Sequence, residues 1–144
     1  MTETDGIEVA GRDDMPLIED CIRRFRLDDE DLKPEQFIVI REAGRILAFG
    51  RIKPYGSVYE LGSVGVMEDC RRRGFGRRVT EELIRRFPTR EVYITTDLPE
   101  YFEPLGFKMI ESGPEPIFAK IGRVCGRLRT GVVAMVLHKD TSTH

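Results

Sequence analysis

The spacing of apolar positions changes period along the chain, and each change marks an element. Ile7-Glu8-Val9-Ala10 reads as a short strand, and Asp13 or Asp14 can cap a helix carrying Leu17, Ile18, Cys21, Ile22 and Phe25 at helical spacing. Asp28 to Gln36 is acidic and proline-interrupted, so it predicts a loop or short helix. Phe37 to Glu42 is then a strand, Ala43-Gly44 a turn, and Ile46 to Ile52 the returning strand of a hairpin. Tyr55-Gly56-Ser57 turns the chain again into a third antiparallel strand, Val58 to Val66.

Beyond Val66 the period lengthens. Gly76 to Phe87 puts Val79, Leu83, Ile84 and Phe87 on one helical face, with arginines and Glu81-Glu82 opposite, and Pro88 ends it. Glu91 to Thr96 is a buried strand. Asp97 to Leu105 is a short helix opened by Pro99, and Phe107 to Ile110 is another strand. After Pro114 and Pro116 comes a basic amphipathic segment with Ile117, Ile121, Val124 and Leu128. Val132 to Leu137 is the last strand, and Lys139 to His144 is a polar tail expected to fray. Mixed strands and helices in this order predict an α/β (α+β) domain on a mixed, mostly antiparallel central sheet, with helices on both faces. The Val58–Val66 strand, the helix and the Glu91–Thr96 strand form a parallel, right-handed βαβ unit.

Length fits one domain spanning 1–144, with a core of about 6–139. Hydrophobic residues at 40% and charged residues at 33% exclude the disordered and membrane classes. No apolar run spans a bilayer, and the acidic start Met1-Thr2-Glu3-Thr4-Asp5 is unlike a signal peptide, so a cytoplasmic protein is expected. Cys21, Cys70 and Cys125 are odd in number and widely spaced, and His138 and His144 sit at the C-terminus. That pattern predicts reduced thiols and no metal. A net charge of −2 disfavours nucleic acid, yet Arg71, Arg72, Arg73, Arg77 and Arg78 crowd into eight residues.

Those arginines belong to Met67-Glu68-Asp69-Cys70-Arg71-Arg72-Arg73-Gly74-Phe75-Gly76, between the Val66 strand end and the next helix. Glycines at 74 and 76 let backbone N–H groups approach a phosphate, and the helix start adds about half a positive charge. The loop is therefore a candidate anion site, with arginines able to bind phosphate oxygens in pairs. A Rossmann dinucleotide site is a rival, because Asp97 ends the following strand about twenty residues on. Its third glycine, however, would fall at Val79, and too many residues separate strand from first glycine.

In this loop the sequence resembles the GNAT superfamily of N-acetyltransferases, whose signature is Arg/Gln-x-x-Gly-x-Gly/Ala. Arg71, Gly74 and Gly76 match it in register, and Glu60-Leu61 looks like the family's approach strand. Downstream, Tyr101-Phe102-Glu103-Pro104-Leu105-Gly106-Phe107 resembles a second family segment. Tyr93-Ile94-Thr95-Thr96 adds a weaker likeness to amino-acid N-acetyltransferases related to N-acetylglutamate synthase.

The resemblance implies an acetyl-CoA-dependent N-acetyltransferase in which a primary amine of a small molecule, an amino acid among the candidates, attacks the thioester directly. It implies that Val58–Val66 and Glu91–Thr96 splay apart at the coenzyme. Backbone groups around Val64, Gly65 and Val66 would bind the coenzyme's amides, the loop residues Arg71, Arg72, Arg73, Gly74, Phe75, Gly76 and Arg77 its pyrophosphate, and Thr96 and Phe102 would also line it. Glu60 stands where many members place a general base, and Phe102 where many place an acidic tyrosine, which leaves Tyr101 as the neighbouring candidate. Lys120, Arg123, Arg127 or Arg129 would hold a substrate carboxylate, or else solvate the last helix. Two alternatives stand beside this reading: a non-catalytic coenzyme-sensing domain, and a protein N-terminal or lysine acetyltransferase. No membrane or nucleic-acid partner is expected, and a homodimer is left open.

Overall fold

The computed structural model of the chain describes residues 6–125 and 130–139, with the side chains of 124 and 125 excepted. Arg127, Leu128, Arg129, His144 and the side chains of Val124 and Cys125 therefore lie outside the described residues. Seven strands form a mixed sheet: β1 (Ile7–Val9), β2 (Phe37–Glu42), β3 (Arg45–Tyr55), β4 (Val58–Val66), β5 (Glu91–Thr96), β6 (Lys108–Ile110) and β7 (Val133–His138). Their order is β1-β2-β3-β4-β5-β7-β6. The pairs β1·β2, β2·β3, β5·β7 and β6·β7 are antiparallel, and β4·β5 is parallel with Glu60 opposite Tyr93. A doubly wound parallel sheet, which the Rossmann alternative requires, is thereby excluded. The helices are α1 (Met15–Phe25), α2 (Phe75–Arg86), α3 (Pro99–Phe102) and α4 (Glu115–Lys120), the last continued by a π-helical turn, Ile121–Cys125.

By its contacts the chain falls into two compact units, Met1–Ile52 with Ser63–Arg86, and Lys53–Gly62 with Phe87–His144. In the first, Ala43 and Gly44 both take left-handed φ values, +53° and +79°, which closes β2 onto β3 with Glu42 opposite Arg45. Helix α1 buries Ile18, Cys21 and Ile22 completely, and β2 and β3 contribute Phe37, Val39, Ala48 and Phe49. The rings of Phe37 and Phe49 meet edge to face at 6.2 Å. Gly50 and α2 illustrate how tightly this core is packed. A Cβ at Gly50 would come within 2.8 Å of both Leu83 Cδ1 and Val79 Cγ1. At Gly65 it would come within 2.6 Å of the Phe49 ring.

Three details differ from the hydropathy pattern. Leu17 is 42% exposed, whereas Met15 joins the core, so the buried stripe of α1 is rotated from the expected one. Glu82 is buried rather than on the outer face, its carboxylate received by Arg85 and Arg86 of the same helix. Burial raises the Glu82 carboxyl, but the two guanidinium groups outweigh it and hold the group below its ordinary range. Lys139, expected in a fraying tail, is tied through its N–H to Arg90 O (2.9 Å) and through Nζ to Phe87 O (2.7 Å).

In the second unit β7 lies between β5 and β6, with Thr96 opposite Val133 and Met109 opposite Met135. Its buried apolar residues include Leu61, Val92, Ile94, Phe107, Ile117, Ala134 and Met135. The rings of Tyr101, Phe102 and Phe107 stack edge on in series, at 5.0 and 5.7 Å.

Candidate functional site

The arginine loop belongs to the first unit. Strand β4 ends at Val66, and a 3₁₀ turn over Glu68–Cys70 leads to the exposed residues Arg71, Arg72, Arg73 and Gly74. Helix α2 begins at Phe75, and its first intrahelical bond runs from Arg78 N–H to Gly74 O at 3.0 Å. The N–H groups of the helix's first turn therefore have no intrahelical acceptor, and they carry the positive end of its dipole. Gly74 takes φ +85°, and a Cβ there would meet nothing within 4 Å. Arg72 is also left-handed, at φ +66°. The loop backbone thus turns through two left-handed positions, Arg72 and Gly74, separated by Arg73, just before the helix start.

The charges in this loop are sorted. Glu68 is paired with Arg24 and Asp69 with Arg45, each at 2.5 Å, so both acids are neutralised by partners from other elements. Arg71 donates from Nε to Val66 O (3.1 Å) with its guanidinium over the Phe25 ring (4.7 Å). Arg77 pairs with Glu81 one helical turn on. Arg73 and Arg78 lie over the ring of Phe75, at 5.0 and 5.8 Å. Arg72, Arg73 and Arg78 have no acidic partner among the described residues, and they remain exposed. Residues of this chemistry fit a pyrophosphate: open space above Gly74, helix-start donors, and guanidinium groups whose charge is not already spent on carboxylates.

Upstream of the loop, Ser63 is buried inside β4 at φ +50°, followed by Val64, Gly65 and Val66. Met67 N–H then donates to Leu47 O at 2.9 Å. Next to Ser63 lies Arg51, 1% exposed, a residue that hydropathy reading did not single out. An arginine directly after the apolar run Ile46-Leu47-Ala48-Phe49-Gly50, and before Ile52, was the available signal.

The second unit holds Glu60. Its carboxylate is 2% exposed, and both oxygens accept from Lys120 Nζ, at 2.7 and 2.6 Å. Thr95 Oγ1 donates to the same carboxylate at 2.7 Å, and Lys120 Nζ also lies 3.1 Å from that hydroxyl. Lys120 is therefore an internal counter-ion, not a solvated residue on the outer face of the last helix. Sequence spacing could not pair it with Glu60, sixty positions away. Arg123, on the π-helical turn, donates to Tyr55 OH, and Lys53 Nζ lies 4.6 Å from the centre of the same ring. Tyr101 is 44% exposed. Thr96 is buried, its hydroxyl accepting from Leu98 N–H at 2.9 Å. Among the described residues, no cluster of three His, Cys, Asp or Glu side chains is arranged to hold a metal, and no helix is long and apolar enough to cross a membrane.

Comparison with known proteins matches this sequence to the model of the acetyltransferase (GNAT) family over residues 7–107. No curated protein matches significantly. Solved structures share the fold. N-acetylglutamate synthase of Neisseria gonorrhoeae, complexed with coenzyme A and N-acetyl-glutamate, superposes with TM-score 0.76 at 16% identity over 93% of the chain. The chain spans about a third of that synthase, 35% of its length. Rv2747 of Mycobacterium tuberculosis, solved with CoA, gives 0.74 at 20% identity, covering 92% of this chain and 98% of that one. The ribosomal-protein-S18-alanine N-acetyltransferase of Escherichia coli gives 0.66 at 15% identity, covering 94% of each.

Proposed function

Because the chain belongs to the acetyltransferase (GNAT) family of acyltransferases, we propose that it moves the acetyl group of acetyl-CoA to a primary amine of a small molecule. The observation that carries this reading is the Met67–Gly76 loop at the start of α2, with Glu68 and Asp69 tied off by other arginines and with Arg72, Arg73 and, on α2, Arg78 left to an outside anion. Backbone N–H groups of this loop and the guanidinium groups of Arg72 and Arg73 hold the pyrophosphate. The segment Val64-Gly65-Val66 offers backbone donors and acceptors to the coenzyme's amides. When bound, acetyl-CoA supplies an activated acetyl thioester.

An alkyl amine has pKa near 10 and must lose a proton before it can attack. Glu60 is the proton acceptor in this reading. Its two oxygens already accept from Lys120 and Thr95, so an arriving proton displaces one of those bonds. A general base contributes typically about 10²–10⁴-fold. Phe102 stands where many members of the family carry an acidic tyrosine, and Tyr101, 44% exposed, is the neighbouring candidate. With a thiol pKa of about 8.5, the thiolate can leave without a dedicated acid. An amino acid is the acceptor we favour, on the weak likeness of Tyr93–Thr96 and on Lys53 and Arg123, which meet at the Tyr55 ring in the second unit.

Thermal melting with acetyl-CoA tests the coenzyme. A ligand confined to the native state adds roughly 2.7 kcal/mol at a hundredfold excess over Kd, so Tm should rise clearly. A shift with a nicotinamide dinucleotide and none with millimolar acetyl-CoA would overturn the reading. Thiol release across a panel of amines then separates an enzyme from a coenzyme sensor.

A further inference from the structure

The first unit contains a buried guanidinium that the proposed chemistry does not use. Arg51 donates from Nε to Ser63 Oγ (3.1 Å), from Nη1 to Gln36 Oε1 (2.8 Å) and Asp31 O (3.2 Å), and from Nη2 to Asp28 O (3.1 Å). The Asp28 carboxylate lies 3.4 Å from Nη2, and the Phe37 ring centre 5.4 Å from Cζ. Ser63 Oγ in turn donates to Asp28 O at 3.2 Å. A charge this deeply buried is costly unless its donors are satisfied, and here the planar fork joins three stretches of chain: its own strand β3, the Asp28–Gln36 loop and Ser63 of β4.

Two of those stretches contain non-glycine residues in the left-handed region, Asp31 at φ +53° and Ser63 at φ +50°. Such conformations persist only where the surroundings over-determine them. In this unit the same guanidinium holds both, one through a carbonyl and the other through a hydroxyl. A left-handed residue inside a strand also breaks the pleat. Past Ser63 come Val64, Gly65 and Val66, and then Met67 N–H rejoins β3 at Leu47 O. The segment assigned to the coenzyme's amides is thus pinned at both ends by β3, at one end through Arg51 and at the other through Leu47.

We infer that Arg51 is a positioning residue for coenzyme binding: through Ser63 it fixes the left-handed break in β4, and it ties the Asp28–Gln36 loop to the same point. This rests on the coenzyme reading above. Arg51 touches neither coenzyme nor acceptor; it sets the backbone that does. A lysine offers a single point of donation and cannot serve Ser63, Asp28, Asp31 and Gln36 together.

The test compares acetyl-CoA affinity, by calorimetric titration well below Tm, in the wild type, Ser63→Ala, Arg51→Lys and the core truncation Ile18→Ala. Ser63→Ala removes the hydroxyl that meets Arg51 and leaves its other partners in place. It should weaken acetyl-CoA about tenfold, the size expected when a hydrogen bond to a charged group is lost. Hydrogen exchange at the amides of residues 64–66 should quicken in that variant. Arg51→Lys should lose at least as much affinity. Ile18→Ala should lower Tm comparably and keep wild-type affinity. If Arg51→Lys does not fold, Ser63→Ala decides alone. Wild-type affinity in Ser63→Ala, or a loss in Ile18→Ala that tracks its Tm, would reduce Arg51 to a core residue and overturn the inference. Absence of acetyl-CoA binding by the wild type would instead sink the coenzyme reading itself, and this inference with it.

Discussion

Lys120 and Glu60 form a closed ion pair inside the second unit, the ammonium 2.7 and 2.6 Å from the two carboxylate oxygens and both side chains almost wholly out of solvent. Removing one partner of such a pair leaves a buried charge uncompensated, a loss of about 3–5 kcal/mol, whereas removing both is often nearly neutral. Lys120→Met should therefore be strongly destabilised in urea denaturation. The double variant Glu60→Gln/Lys120→Met should recover much of that loss. Additive losses would show that the two groups do not depend on each other.

Glu60→Gln also leaves the buried Lys120 ammonium without its counter-charge, so its kinetics separate proton transfer from scaffolding only when read well below the variant's lowered Tm. With Glu60 as the base, kcat/KM should fall about 10²-fold while acetyl-CoA affinity is kept. The deficit should shrink at high pH, where solvent deprotonates the amine. A rate that matches wild type from pH 6 to 9 would move the base to another residue.

Gly74 sits at φ +85°, where a β-branched side chain is strained even with open space around it. Gly74→Val should weaken acetyl-CoA more than Arg72→Ala does, because one arginine among several is partly covered by its neighbours, whereas the backbone bend is not. Binding assays on the two variants give the ordering; the reverse order would make the arginine, and not the bend, the main anion contact.

Gly50 makes a contrasting case at ordinary φ. Here space is the constraint: an alanine Cβ would press to 2.8 Å on Leu83 and Val79. Gly50→Ala should cost about 1–3 kcal/mol of stability, as overpacking does, and leave m unchanged. A stability equal to wild type would mean that α2 moves aside freely.

Stability should also fall in acid through Asp14. Its carboxyl is held below its ordinary range by hydrogen bonds from Arg41 and the Gly11 N–H, which outweigh burial. A carboxyl lowered on folding stabilises the native state above its unfolded pKa, and this contribution disappears as pH falls through the folded value. Asp14→Asn should thus be less stable than wild type near neutrality, with the gap narrowing below about pH 4. A gap that stays constant with pH would assign the effect to shape alone.

The sequence by itself determined the local features: the apolar strands, α2 with its apolar stripe, the proline-opened α3, and the glycine-arginine loop. β2, β4 and β5 begin and end where the pattern places them, because each is bounded by turn residues such as Ala43-Gly44 and Gly56-Ser57. The family match also rests on short contiguous motifs, which carry their own spacing. Tertiary structure decided what depends on distance along the chain. Hydropathy assigned Glu82 to solvent, but Arg85 and Arg86 together with the packing of α2 let it be buried. It left Lys120 between two roles, and only the fold put its ammonium on Glu60. Arg51 and Ser63 carried no signal beyond polarity inside strands, since a guanidinium of β3 satisfied by residues 28, 31 and 36 of one loop and by residue 63 of β4 is a property of three segments meeting. A buried charge is stable only with all its partners in place, and no single stretch of sequence contains them all.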